Sequence, residues 1–355
     1  MKKFIVLFLV GSFSFAQTSV TSYQVKIDAA KKAAEQFLDE EKIPGMSISV
    51  SKDGLMIWTQ GFGYLDIGSK SKVSPGETQF RIASISKSLT ATALAKLTDE
   101  GRLDLDKSIY TYIPNYPKRK YDFTIRQVGG HIAGIRHYRG KEFIYNKKMT
   151  ITEGLNIFKN DSLLFKPGTK YSYSTYGWNL ISEVVQIASD EPFNKYMESI
   201  FDPLKMNSTT LDVSDSIMPN RTNFYIKTNA NEIILGPKVS NEHKVAGGGF
   251  ISTSEDLIHF GNEIISPLLL SEESIDELLK PQMVTSGKST NYGVGFGVDS
   301  SKNGSKKYSH SGGGIGASTL LLMYPEEKIV IVILTNLSQA PVRDFGSVLE
   351  SIFIH

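Results

Sequence analysis

The sequence contains no cysteine. This absence excludes disulfide bonds, a cysteine nucleophile, thiolate metal ligands and a lipid-modified N-terminal cysteine. The chain also lacks a large charge of either sign, since its formal net charge is only +2 and Lys2 and Lys3 account for that excess. Without a basic surplus there is no electrostatic reason to expect a nucleic-acid partner.

Long hydrophobic runs are missing as well. The run FIVLFLV at residues 4–10 is shorter than the roughly 20 residues that a membrane-spanning helix needs. Two lysines precede it and small residues follow it up to Ala16, which is the pattern of a secretory signal peptide. We therefore predict a signal peptide over residues 1–16, no stable membrane span after its cleavage, and a periplasmic or secreted protein. An uncleaved N-terminal anchor is the alternative.

The remaining chain alternates between helical and strand patterns. Residues 22–43 have the spacing of an amphipathic helix, and residues 46–66 form two β-rich runs around an Asp-Gly turn, which predicts a hairpin. A further helix is predicted to begin at Ser84 and end at Gly101. Near the end, residues 291–336 predict three strands, and residues 342–355 have helical spacing.

This order predicts an α+β fold, in which helices flank an antiparallel β-sheet. Residues 103–240 are rich in tyrosine, glycine and proline and contain helical segments but little strand alternation. We expect them to form an inserted, mainly helical region. The α/β sheet region would then comprise residues 22–102 and 241–355, and the two parts would make one compact catalytic unit.

A serine and a lysine three residues apart are the first chemical signal. A serine hydroxyl is a weak nucleophile unless a base lies beside it, and Lys87 would share one helix face with Ser84. Burial can lower the pKa of a lysine enough for it to accept a proton. The start of the helix also offers free N–H groups to an oxyanion. From these residues alone, the alternative is a capping role for Ser84 or Ser86 and a solvated Lys87.

Two later segments strengthen the first signal. KPGTKYSYSTYGWNLIS, at residues 166–182, places Tyr173 in a tyrosine-rich turn before a helix, and a tyrosine can exchange protons in a polar site. HSGGGIGAS, at residues 310–318, begins with His310 at the edge of a strand. Its glycines would let a ligand approach the backbone closely.

These three segments resemble the serine β-lactamase and penicillin-binding-protein superfamily. The similarity is to its class C-like branch, which includes D-alanyl-D-alanine peptidases, family VIII esterases and mitochondrial β-lactamase-like serine peptidases. The branch has a Ser-x-x-Lys helix, a Tyr-x-Asn motif and a Lys/His-x-Gly strand. Further similar stretches are GHIAGIRHY, AGGGFISTSEDLIHF and YGVGFG, at residues 130–138, 246–260 and 292–297.

The resemblance implies a role for each matching residue. Ser84 would be the acylated nucleophile, Lys87 its proton partner and Tyr173 the base that later protonates the leaving group. The backbone N–H groups of Ser84 and Gly313 would form the oxyanion hole. His310 would polarise Tyr173 and contact the substrate, together with Thr175 and Gly312. The other tyrosines of the turn, Tyr171 and Tyr176, would pack or line the rim, and His131 would pack near the site.

Two departures from the family pattern affect the expected activity. Thr175 stands where the motif has asparagine, so it cannot offer both an amide carbonyl and an NH₂ group. His310 stands where typical β-lactamases have lysine, so it is less dependable as a cation for a substrate carboxylate. Both changes argue against efficient β-lactam hydrolysis and are more like the mitochondrial-type peptidases and the esterases.

The sequence thus predicts an exported serine hydrolase that acts through an acyl-enzyme. Its substrate would be a small peptide, a peptidoglycan stem peptide or an ester, and it would need no metal and no organic cofactor. Two alternatives stay open, a true β-lactamase and a catalytically weak peptide- or cell-wall-binding module. The sequence gives no indication of the oligomeric state.

Overall fold

The computed structural model describes residues 11–354, and their side chains from residue 23 onward. Most of the predicted signal peptide, residues 1–16, lies outside this range. None of the helices within it combines the length and the apolar character that crossing a membrane requires. The helices are α1 Gly11–Glu40, α2 Ile85–Asp99, α3 Ile109–Tyr112, α4 Ile125–Gly129, α5 Ile151–Gly154, α6 Thr175–Ser189, α7 Phe193–Phe201, α8 Val245–Gly248, α9 Ser254–Ile265, α10 Glu272–Leu279 and α11 Val342–Phe353.

Twelve strands accompany these helices within the described range. They are β1 Gly45–Lys52, β2 Leu55–Asp66, β3 Ser71–Lys72, β4 Phe80–Arg81, β5 Thr210–Leu211, β6 Tyr225–Lys227, β7 Ile233–Leu235, β8 Phe250–Ser252, β9 Gly297–Ser300, β10 Lys306–Gly314, β11 Ala317–Tyr324 and β12 Ile329–Thr335.

The main sheet has seven strands in the order β3-β2-β1-β12-β11-β10-β9, and all its pairs are antiparallel. The predicted N-terminal hairpin is β1–β2, and the predicted C-terminal helix is α11. The C-terminal region has four strands rather than the predicted three, because the turn at Asn303-Gly304 joins two strands, β9 and β10. With helices against the sheet, the α+β fold prediction is confirmed.

Helices cover both faces of the sheet, and β12 shows this directly. Val330, Val332 and Leu334 belong to the hydrophobic cluster that contains α2, α6 and α9. The intervening residues Ile329, Ile331 and Ile333 belong to a second cluster with α1 and α11. A strand that is apolar on both faces must be covered on both faces, which explains why this run of the sequence has no polar alternation.

The serines of β1 also face a helix rather than solvent. Ser47 and Ser49 are fully buried, and their hydroxyls lie 2.7 and 2.8 Å from the hydroxyl of Ser254 at the start of α9. Ser51 donates to Asn262 of the same helix at 2.8 Å. These hydrogen bonds satisfy the buried hydroxyls and fix α9 against the sheet.

Residues 103–240 form mainly helices and irregular segments, with the three short strands β5, β6 and β7. Strand β5 pairs with β8, and β8 also pairs with β4, so a small sheet joins this stretch to the chain on either side of it. The proposed boundaries at residues 103 and 240 stay a prediction. The small sheet matters for the site because only three residues separate β4 from α2.

Candidate active site

Ser84 occupies the N-cap position of α2, but its side chain does not cap the helix. Its hydroxyl instead accepts a hydrogen bond from the Lys87 ammonium at 3.0 Å. Ser86 does not cap the helix either, since its hydroxyl accepts from the N–H of Phe250 at 3.2 Å and ties α2 to β8. The capping alternative is therefore wrong for both side chains, and the Ser84 hydroxyl is available for chemistry.

The backbone before Ser84 is held in an unusual conformation. Ala83 has a φ of +46°, a left-handed value that is uncommon for a residue with a side chain. Strand β10 lies directly against this segment. A Cβ at Gly312 would stand 2.3 Å from the Ile82 carbonyl oxygen and 2.3 Å from the Thr319 hydroxyl. Gly312 therefore permits the close approach that fixes the position of Ser84, and it does not line the cavities at the site.

Lys87 is fully buried beneath Ser84. Besides the serine hydroxyl it donates to the Gly247 carbonyl, and its ammonium lies 4.9 Å from the centre of the Tyr173 ring. Burial lowers the pKa of Lys87 well below its usual value, because the charged form loses its hydration. A lysine in this state can become neutral and accept the proton of Ser84, so the solvated Lys87 of the alternative interpretation is wrong.

Tyr173 lies beside Lys87, with its ring centre 4.9 Å from the ammonium. Its burial raises the pKa of the phenol well above the ordinary value, while interaction with the Ser84 hydroxyl acts in the opposite direction. The phenol is therefore protonated at neutral pH. It is better suited to pass on a proton than to start the reaction as a phenolate base.

Two histidines hold the Tyr173 turn in place. His131 accepts a hydrogen bond at Nδ1 from the Ser174 N–H, and His137 accepts one at Nδ1 from the Thr175 N–H, each at 3.1 Å. Burial, followed by the charge of Lys87, lowers the pKa of both imidazoles, that of His137 to about 4. Both rings are neutral at physiological pH, and His131 packs beside Tyr173 with 4.3 Å between ring centres.

His310 projects from β10 into the same site. Its Nδ1 lies 2.8 Å from the Ser311 carbonyl oxygen, which can only accept, so Nδ1 carries the proton. Its Nε2 lies 2.9 Å from the Tyr292 hydroxyl and accepts from it. Burial and the charge of Lys87 lower the pKa of His310 to about 3. His310 is thus neutral, and its hydrogen bond goes to Tyr292 rather than to Tyr173.

Thr175 is the buried first residue of α6. Its γ-methyl group lies so close to Gly247 that a Cβ there would stand 2.6 Å from it. The carbonyl of Gly247 is a hydrogen-bond acceptor for Lys87. Thr175 therefore packs its methyl group against Gly247, the residue whose carbonyl positions Lys87.

Two cavities are lined in part by Ser84. The wide one has a volume of about 590 Å³ and lies between β10 and α11, and the narrow one has a volume of about 200 Å³ and lies toward α6 and α8. Ser84, Tyr173 and Gly313 line both. A Cβ at Gly313 would meet nothing within 4 Å, so this glycine faces open space. A substrate carbonyl held between the cavities would lie beside the serine, the phenol and the backbone of β10.

The wide cavity contains two residues that the sequence did not assign. Tyr292 belongs to the YGVGFG stretch that resembles the family. Its hydrogen bond to His310 joins residues that are 18 positions apart in the sequence. Arg343, at the start of α11, donates to the Ser311 hydroxyl at 2.5 Å from Nη2 and 3.1 Å from Nε. In the sequence, only its position near the start of a predicted helix distinguished Arg343, and this did not indicate a place in the site. Tyr171, which was expected at the rim, is 41% exposed there.

Comparisons with known sequences and structures show which proteins this chain resembles. The β-lactamase family model matches residues 30–348. The human mitochondrial serine beta-lactamase-like protein LACTB is 31% identical, over 85% of this chain and 72% of that protein.

Two solved structures extend the likeness. A D-stereospecific amidohydrolase from Streptomyces sp. is 25% identical with a TM-score of 0.78, covering 92% of this chain and 98% of that one. EstCE1, described as a hydrolase with promiscuous acyltransferase activity, has a TM-score of 0.81 at 18% identity and covers 95% of this chain and 100% of that one. The chain belongs to the β-lactamase family of serine hydrolases.

Proposed function

We propose that this protein is an exported serine hydrolase in which Ser84 is acylated by an amide or ester substrate. The observation that carries the proposal is the fully buried Lys87, whose ammonium lies 3.0 Å from a serine hydroxyl that caps no helix. A buried lysine of lowered pKa beside an uncommitted hydroxyl is the arrangement that activates a serine.

The reaction begins when neutral Lys87 takes the proton of the Ser84 hydroxyl. The serine oxygen forms a bond to the substrate carbonyl carbon, and the carbonyl electrons move to oxygen. In the proposal, the N–H groups of Ser84 and Gly313 stabilise that oxyanion. The position of Gly313, in open space on the wall of both cavities, supports this role.

Tyr173 then completes the transfer of the proton. Its neutral phenol donates to the leaving nitrogen or oxygen as the bond to the carbonyl carbon breaks, and Lys87 returns a proton to the tyrosine. A water molecule attacks the acyl-enzyme by the reverse path and releases the acid and free Ser84. Lys87 thus starts the reaction and Tyr173 relays its proton, a division that follows from their opposite pKa shifts.

The proposed substrate is a small peptide, a peptidoglycan stem peptide or an ester. The similar structures include a D-stereospecific amidohydrolase, which supports acyl chemistry on an amide. The neutral His310 offers no cation to a β-lactam carboxylate, which argues against a true β-lactamase. The assembled Ser84, Lys87 and Tyr173 argue against a binding module without catalysis.

Intact-mass spectrometry with a fluorophosphonate probe tests the proposal. The mature chain, expected to begin near Gln17, should gain one adduct that is lost in Ser84→Ala. In Tyr173→Phe the rate should fall by about a hundredfold or more, because the proton relay is removed. Tyr171→Phe is the matched control, since this rim tyrosine should label at the wild-type rate. A folded wild-type protein that gains no adduct would refute the proposal and favour the binding module.

A further inference from the structure

A second buried lysine, Lys244, lines the narrow cavity that opens on Ser84. It lies at the end of the 3₁₀ helix Glu242–Lys244, directly before α8. Only 5% of its surface is exposed, and its ammonium donates to the Phe143 carbonyl at 3.1 Å. The rings of Tyr138 and Phe143, which also line the cavity, have their centres 5.6 and 5.8 Å from the ammonium.

Lys244 forms no ion pair with the side chains that the structure describes, those of residues 23–354. An ammonium has three donors, and one carbonyl oxygen occupies only one of them. Burial lowers the pKa of Lys244 to about 8, a value that still leaves the group charged at neutral pH. The structure therefore holds a cation with unused donors at the wall of a cavity that contains the nucleophile.

The neighbouring carboxylates are committed to other groups. Asp212 pairs with Arg81 at 2.6 Å and with Arg221 at 3.0 Å. Glu242 accepts hydrogen bonds from the hydroxyls of two serines, Ser214 and Ser240. Three buried or half-buried cations thus face two carboxylates in this region, and one additional negative charge would balance them.

A buried ammonium without a carboxylate is costly for a folded protein, and an apolar residue of similar size would often be at least as stable. The wide cavity differs in this respect, because Arg343 is exposed and hydrogen-bonded to Ser311, and Lys307 pairs with Glu350 at 3.0 Å. The narrow cavity has a volume of about 200 Å³, room for one short side chain, and its walls include the apolar Val239 and Ala317. Arg81 also lines the cavity but is paired with Asp212, so Lys244 is the lining cation without a carboxylate partner and suits a short carboxylate side chain.

We propose that Lys244 selects substrates whose acyl part carries a carboxylate, such as an acidic amino-acid residue. The carboxylate enters the narrow cavity and accepts hydrogen bonds from the Lys244 ammonium while the substrate carbonyl lies over Ser84. This inference rests on the proposed acylation of Ser84 and adds the chemical class of the acyl group. Lys244 is a specificity-determining residue in this scheme and takes no part in the proton transfers.

Paired phosphonate inhibitors test the inference. The diphenyl phosphonate analogues of N-acetylglutamate and N-acetylglutamine have the same shape and differ in charge. Each reacts by forming a bond from the Ser84 oxygen to phosphorus with loss of one phenoxide. In the wild-type protein the glutamate analogue should inactivate about tenfold faster or more, because a charge-assisted hydrogen bond is stronger than a neutral one. Both stereoisomers of each analogue are measured.

Variants then assign the preference to one residue. Lys244→Met should react equally with the two analogues, Lys244→Arg should keep part of the preference, and Arg343→Met should keep all of it. Lys244→Met should also melt at the wild-type temperature or above it, whereas a lysine with a purely structural role would leave a less stable protein.

Three results would overturn the inference: equal inactivation of the wild type by both analogues, a preference that survives in Lys244→Met, or one that is lost only in Arg343→Met. Failure of the proposed function looks different. In that case neither analogue, nor the fluorophosphonate, would modify Ser84 in the wild-type protein.

Discussion

Burial alone gives Lys87 its chemical role. Its two hydrogen-bond partners are a hydroxyl and a carbonyl, so no carboxylate stabilises the ammonium. The neutral form is correspondingly favoured, and this is the form that can receive a proton from Ser84. Burial likewise keeps His310, His131 and His137 neutral, because their charged forms would also lose hydration.

Replacing Lys87 by methionine should separate activity from stability. We expect Lys87→Met to lose about a hundredfold or more in the rate of Ser84 labelling, because the proton acceptor is gone. Its free energy of unfolding should stay the same or rise, since an apolar side chain replaces a buried amino group that has no carboxylate partner. Labelling kinetics and urea denaturation measure the two effects.

Lys96→Met provides the control within the same helix. Lys96 lies on the partly exposed side of α2 and pairs with Glu100, so both its labelling rate and its stability should stay near the wild-type values. A Lys87→Met protein that labels as fast as the wild type would contradict the role of Lys87 as the base. One that unfolds far more easily would show that the ammonium is mainly structural.

At the scale of the elements, the site depends on how closely β10 approaches the start of α2. The contact joins Gly312 to the carbonyl of Ile82, and Thr319 of the neighbouring strand donates to the same carbonyl at 3.0 Å. Ala83 is held at positive φ between this contact and Ser84. The packing of β10 against Ile82 and Ala83 thus fixes the position of Ser84.

Gly312→Ala should therefore damage both stability and activity. The added methyl group would overlap a backbone oxygen and the Thr319 hydroxyl, and we expect a loss of about 1–3 kcal/mol in the free energy of unfolding. Labelling of Ser84 should slow in the protein that remains folded. Urea denaturation and labelling by mass spectrometry give the two values.

Gly313→Ala is the matched control, because it adds the same methyl group one residue further along β10 into open space. Its free energy of unfolding should lie within about 0.5 kcal/mol of the wild type. If Gly312→Ala were equally harmless, the strand would not be packed against the start of α2 as described.

Local signals in the sequence were sufficient for several elements and for the nucleophile. The Asp-Gly turn and its flanking apolar runs predicted the β1–β2 hairpin, and the limits Ser84 and Gly101 predicted α2 to within two residues. Contacts between distant segments were not predictable in this way. The pairing of Tyr292 with His310 and the entry of Lys244 into the narrow cavity depend on how strands and loops meet in the folded chain.

For the whole molecule, buried neutral histidines make stability depend on pH. Burial lowers the pKa of His310 to about 3, and that of His137 and His243 to about 4. In the unfolded chain a histidine has a pKa of about 6.5. Between these values the unfolded chain binds more protons than the folded protein, so the free energy of unfolding rises with pH.

We therefore expect stability to fall as the pH drops below about 6.5 and to keep falling toward pH 4, before most carboxylates of the unfolded chain have been protonated. Urea midpoints measured from pH 8 to pH 4 would follow this decline. His310→Gln should make it shallower, because one of the four buried histidines, which include His131, no longer titrates. His259→Gln should reproduce the wild-type curve, since His259 is exposed on α9. A wild-type curve that stays flat down to pH 4.5 would mean that the folded protein binds protons as readily as the unfolded chain. The imidazoles would then gain compensating contacts on protonation, and His310 would not be permanently neutral during the reaction.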